Sequence, residues 1–101
     1  IRFFKINANT SKYEINDPRG KEHIDKIMRY IFSLFDCTTH QECSSYFKNL
    51  MDSISLEYNY QRIGIKSERD IDQIISEINH NRLNNNPVRL SDKEIKDIFH
   101  E

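Results

Sequence analysis

Ser67-Glu68-Arg69-Asp70-Ile71-Asp72-Gln73-Ile74-Ile75-Ser76-Glu77-Ile78-Asn79-His80-Asn81 is the stretch on which the fold turns. Ser67 is a good N-cap, because its hydroxyl can accept from an early backbone N–H that the helix itself leaves unpaired. Glu68 and Asp70 place negative charge in the first turn, where the helix dipole favours it. Ile71, Ile74, Ile75 and Ile78 then recur at three- and four-residue spacing, which predicts an amphipathic helix with one buried stripe. Asn79 and Asn81 open a polar loop with side-chain oxygens at alternate positions, and loop composition continues to Pro87.

Working outward, Ser91-Asp92-Lys93-Glu94 has capping-box spacing and starts a helix whose apolar face is Ile95, Ile98 and Phe99. Upstream, Ile24, Ile27, Met28, Ile31, Leu34 and Phe35 form a stripe over a helix from about Lys21 to Phe35, with Phe32 broadening it. Thr38-Thr39-His40-Gln41 interrupts that pattern. A helix from about Cys43 to Leu56 follows, with Phe47, Leu50, Met51 and Ile54 on one face. Helix–loop–helix therefore occurs twice. Tyr58 to Lys66, between the two units, suits either a short strand or a connecting loop. At the N-terminus, Arg2-Phe3-Phe4-Lys5-Ile6 and Lys12-Tyr13-Glu14-Ile15 are rich in aromatic and β-branched residues about a turn-like Asn7–Ser11. They predict an extended segment or a small β-hairpin, closed off by the break Asn16-Asp17-Pro18-Arg19-Gly20. One domain of residues 1–101 is expected, an N-terminal extended segment (1–20) followed by a helical lobe (21–101).

Two segments carry a likeness to a known family. Ile31-Phe32-Ser33-Leu34-Phe35-Asp36 resembles the end of the first helix and the first ligand position of calmodulin-like proteins, and Ser67–Asn81 resembles their next entering helix. The resemblance covers about residues 24–99 and implies a mainly α fold: two helix–loop–helix units forming a degenerate EF-hand pair. The ligand positions do not suit calcium, which needs several loop oxygens, a Gly at the sixth place and a bidentate Glu at the twelfth. In the first loop Asp36 and Thr38 take places one and three, His40 falls at five, Gln41 stands in the Gly place and Phe47 in the Glu place. In the second loop Asn79 and Asn81 open, Ser91 and Glu94 close at places nine and twelve, and Leu90 falls where paired loops normally meet backbone to backbone. That alignment requires about four extra residues around Asn84–Pro87, and neutral amides replace carboxylates. No metal and no cofactor are expected. Four amphipathic helices with polar N-caps would share the same spacings without kinship, and Asn79 and Asn81 would then be a plain helix C-terminal turn.

Composition narrows the function classes. Hydrophobic residues are 37% and charged residues 31%, a soluble globular profile, with a net charge of −1. A polyanion-binding domain normally carries a basic excess, so nucleic acid is not the expected partner. A basic and aromatic stretch (Arg62, Lys66, Arg69, Arg82 and Arg89 after Tyr58 and Tyr60) keeps a small α+β nucleic-acid-binding or accessory domain as the alternative. Fifteen Ile and ten Asn stand against two Gly, and no GxGxxG or Walker A pattern exists to cradle a phosphate. Cys37 and Cys43, six residues apart, lack zinc-site companions and leave either two free thiols or a local disulfide. His23, His40, His80 and His100 are scattered, and only His40 lies near a thiol, so no enzyme is expected. No apolar run is long enough to cross a membrane and no signal-peptide pattern is present, which sets the expected location in the cytoplasm. The chain does not begin with Met, as expected of a segment excised from a longer protein.

What the resemblance implies is a calcium-independent protein-binding module that grips an amphipathic helix of a partner, as myosin light chains do. The candidate groove residues are Met28, Phe32, Phe35, Met51, Ile71, Ile75 and Phe99, with Met supplying adaptable contact surface. Each is also a candidate for the core.

Overall fold

Residues 2–101, which the computed structural model describes, form six helices: α1 (Arg2–Ala8), α2 (Lys21–Ser33), α3 (His40–Ser53), α4 (Glu68–Ser76), α5 (His80–Leu83) and α6 (Asp92–His100). A single 3-10 turn, Thr10–Lys12, follows α1. The fold is mainly α. No helix among the described residues is long and apolar enough to cross a membrane.

The caps read from the sequence are formed. The Ser67 hydroxyl accepts from the Asp70 N–H and the Asp70 carboxylate accepts from the Ser67 N–H, a complete capping box. Ser91 and Glu94 do the same for α6. At α3 the cap is Thr39, which accepts from the Glu42 N–H and starts the helix three residues ahead of the expected Cys43. Helix ends are set by left-handed residues. Asp36 (φ 54°) follows α2, where Cys37 N–H bonds to Phe32 O and Asp36 N–H to Ser33 O. Ser55 (φ 57°) does the same after α3, with Leu56 N–H on Met51 O and Ser55 N–H on Asp52 O. Both are six-to-one closures of the Schellman type, which stop a helix by satisfying its last carbonyls.

The N-terminal expectation is overturned. Residues 2–8 are helical, not a strand, and no hairpin forms; Ile1 lies outside the described residues. The alternation of Phe4 and Ile6 that suggests a strand has another cause here. Positions two apart on a helix point to nearly opposite sides, and α1 is buried on both. Phe4 and Ala8, four apart, pack into a cluster built on Ile24, Met28, Phe32, Cys37 and Cys43. Ile6 packs into the other cluster, with Val88, Leu90, Ile95 and Ile98. Helix α1 packs on both α2 and α3 and carries side chains into each cluster.

Polar contacts fix α1 against the C-terminal part of the chain. Arg2 donates to the Ile98 carbonyl, Lys5 pairs with Glu101 at 2.7 Å, and Asn7 Nδ2 donates to Asn86 Oδ1 at 3.1 Å. The Arg2 guanidinium also sits 4.8 Å from the centre of the Tyr60 ring, which packs on Phe99 at 5.1 Å. Tyr60 thus ties the long 54–67 connector, otherwise almost wholly exposed, to α1 and α6.

Backbone pairing between loops occurs, with a different partner from the one expected. Val88 forms an antiparallel bridge with Ile15, flanked by Arg89 N–H to Glu14 O (2.7 Å) and Asn16 N–H to Pro87 O (2.8 Å). The second loop therefore meets the segment before α2, not the loop after it. Leu90 is buried in the core and lies two residues from the bridge. Ile15 contacts both clusters, so this bridge and α1 are the joints between them.

Candidate partner-binding surface

The predicted calcium-loop positions are occupied with local work. Asp36 is the left-handed stop of α2. Thr38 donates its N–H to the Glu42 carboxylate at 2.7 Å, and this holds the Glu42 carboxyl below its usual range. Asn79 caps the short α5 by accepting from the Arg82 N–H, Asn81 lies exposed within α5, and Ser91 and Glu94 cap α6. Among the described residues no group of three or more His, Cys, Asp or Glu side chains is placed to hold a metal ion.

The seven groove candidates do not share one groove. Met28, Phe32 and Phe35 belong to the α2–α3 cluster, and Ile75 and Phe99 to the α4–α6 cluster. Ile71 is buried and Met51 half-buried. Met28, Phe32 and Ile71 are covered by their own chain and cannot meet a partner without unfolding. A helix stripe facing the core and one facing a partner have the same period, which is why spacing could not separate them.

The exposed apolar side chains lie elsewhere on the same two helices. On α2 they are Ile27 and Tyr30, continued by Leu34 just past the helix end. On α3 they are Tyr46 and Leu50, continued by Ile54, spaced i, i+4, i+8 and therefore in one row. Leu50 is 44% exposed and Ile54 63%. Phe35, next to Leu34 in sequence, places its ring 5.4 Å from that of Tyr46 and 4.9 Å from that of Phe47. Phe47 in turn stacks on Phe4 at 5.5 Å, so the outer rows rest on a floor of packed rings. The signal that could have located this surface is the width of the apolar arc on α3. Cys43, Phe47 and Met51 run beside Tyr46, Leu50 and Ile54, more than one neighbouring helix covers.

The surface also carries two polar clefts. One, of about 460 Å³, is lined by Thr10, Lys21, Asp25, Arg29, Thr38 and His40 with Met28 and Phe32 behind them. Within it Asp25 accepts from Thr10 at 2.7 Å and pairs with Lys21. Burial, helped by the nearby Lys5 charge, pushes the His40 imidazole below its ordinary value. The second cleft, about 380 Å³, lies at the start of the connector around Asp52, Tyr58 and Arg62. Neither contains an activated nucleophile. Cys43 is fully covered, and burial together with Cys37 beside it pushes its thiol up, which makes it a poor nucleophile. Both cysteines are free thiols.

The basic and aromatic stretch is likewise dispersed. Arg62 pairs with Glu57, Arg89 with Glu14, the Tyr58 hydroxyl donates to Asp52, and Tyr60 is packed against Phe99. Comparison with known protein families, characterised proteins and solved structures found no match.

Proposed function

We propose that this chain is a non-catalytic protein-binding module whose outer α2–α3 face receives an amphipathic helix of a partner, independently of calcium. The observation that carries this reading is the exposure of apolar side chains in a row on α3, Tyr46-Leu50-Ile54, and of Ile27, Tyr30 and Leu34 on α2. Exposed apolar surface on a small domain marks interaction sites, and a row spaced along one helix suits an amphipathic helix laid against it. The reading needs no ion to open the face, whose apolar side chains are exposed in the fold as it stands.

The test is capture of synthetic amphipathic helices by the immobilised chain, in calcium and in chelator. Leu34→Glu and Leu50→Glu alter exposed side chains and leave the core intact, so both should retain the wild-type helical spectrum. Each is expected to weaken capture about 10- to 100-fold, the loss typical of a central apolar anchor. Capture that persists in both variants, or that requires calcium, overturns the proposal.

A further inference from the structure

The corner between α2 and α3 brings two thiols together in the core. Asp36 turns the chain in a left-handed conformation, and the Cys37 N–H closes onto Phe32 O at 2.9 Å with its own side chain buried. Cys43 completes the first turn of α3, its N–H on Thr39 O at 3.2 Å. Between them, the Glu42 carboxylate accepts from the Thr38 N–H at 2.7 Å and from the Thr38 hydroxyl at 3.3 Å, while Thr39 Oγ1 accepts from the Glu42 N–H. These bonds draw residues 38 and 42 together, and the two cysteines are the next residues on either side. Both belong to one buried cluster with Ile24, Met28 and Phe32. Cys43 is fully covered, Cys37 is 9% exposed, and the two thiols lie within side-chain hydrogen-bonding reach. Among the described residues no further His, Cys, Asp or Glu joins them in a metal-binding group, so the chemistry open to the pair is its own oxidation.

We propose that Cys37 and Cys43 are a reversible redox pair, which a small disulfide of the glutathione class converts into a staple between the end of α2 and the start of α3. The Cys37 sulfur, at the edge of the cluster, gives up its proton and attacks one sulfur of the small disulfide. That S–S bond breaks and the first small thiol leaves, taking up a proton. The Cys43 sulfur then gives up its proton and attacks the Cys37 sulfur, the mixed S–S bond breaks, and the second small thiol leaves protonated. Two protein thiols are thereby oxidised by two electrons, and one small disulfide is reduced to two thiols. Burial and the neighbouring Cys37 hold the Cys43 thiol above its ordinary range, so the second step depends on proximity. The same burial leaves the reduced pair without a stabilised thiolate, which favours the closed disulfide. This device stands apart from the protein-binding reading, since it lies beneath the corner and not on the outer face.

The test equilibrates the reduced 101-residue chain with mixtures of glutathione and glutathione disulfide, alkylates the remaining thiols with a maleimide, and reads the products by mass spectrometry. The wild type should pass from two alkylated thiols to none, carry no bound glutathione, and return to two with dithiothreitol. Closing the loop from Cys37 to Cys43 should raise the melting temperature by about 5–15 °C. Cys43→Ala should stop at a glutathione adduct on Cys37, and Cys37→Ala should react at least about 10-fold more slowly, because Cys43 is fully covered. A wild-type chain that keeps both thiols in excess glutathione disulfide overturns the proposal. So does one that ends as a glutathione adduct or a disulfide-linked dimer, or whose internal disulfide lowers the melting temperature.

Discussion

Ile6→Ala should lower the stability of the whole molecule, although it lies in a segment that the sequence places outside the helical lobe. Ile6 is only 5% exposed and sits among Val88, Leu90, Ile95 and Ile98. The substitution removes three carbon groups from that site, each contributing about 0.8 kcal/mol by burial. The unfilled cavity adds to this, for a total of about 3 kcal/mol within the range of such truncations. A domain of this length has about 5–15 kcal/mol of stability in all, so the loss is a large fraction of it. Because α1 also carries Phe4 and Ala8 into the other cluster, the two halves should melt together. Urea unfolding followed by far-UV circular dichroism, with the Tyr60 and Tyr46 environments as local probes, should show one transition shifted to lower denaturant with an unchanged slope. The melting temperature should fall by about 12–24 °C. A loss below about 0.5 kcal/mol, the size expected for an exposed surface change, would refute the placing of α1 between the clusters. So would two separate transitions.

Two further outcomes follow from the backbone and the charges. Ser55→Gly should stabilise the chain by about 0.5–1 kcal/mol, because Ser55 holds a left-handed conformation (φ 57°) that glycine adopts without a Cβ clash; thermal melting checks it, and a loss of stability would contradict the α3 stop. The Asp17 carboxyl, accepting from the Arg19 side chain and N–H, is lowered from 3.8 to about 2. A group depressed in the folded state takes up its proton first in the unfolded one, so its contribution is full above about pH 4 and is lost as pH falls toward 2. NMR titration should place the Asp17 midpoint near 2 and raise it part of the way toward the ordinary range in Arg19→Ala, which removes the side-chain donor but keeps the backbone one; a midpoint near 4 in the wild type would contradict the turn geometry.

What the sequence by itself determined is the local chemistry. The capping boxes at Ser67 and Ser91 were legible because donor and acceptor lie three residues apart, and the stripes of α2, α3, α4 and α6 because burial on one side imposes a 3.6-residue period. Three things were decided only by the tertiary structure. Helix α1 has apolar residues on two faces because it is buried on two faces, and such a helix carries no one-sided period to read. The bridge partner of Val88 was a choice between segments of similar polarity far apart in sequence, settled by where α1 leaves Ile15. On α3, Cys43 and Phe47 meet the chain's own core while Tyr46, Leu50 and Ile54 stay exposed, although their spacing is the same. Periodicity fixes which side chains share a face of a helix; only the packing of the other helices determines which face is left for a partner.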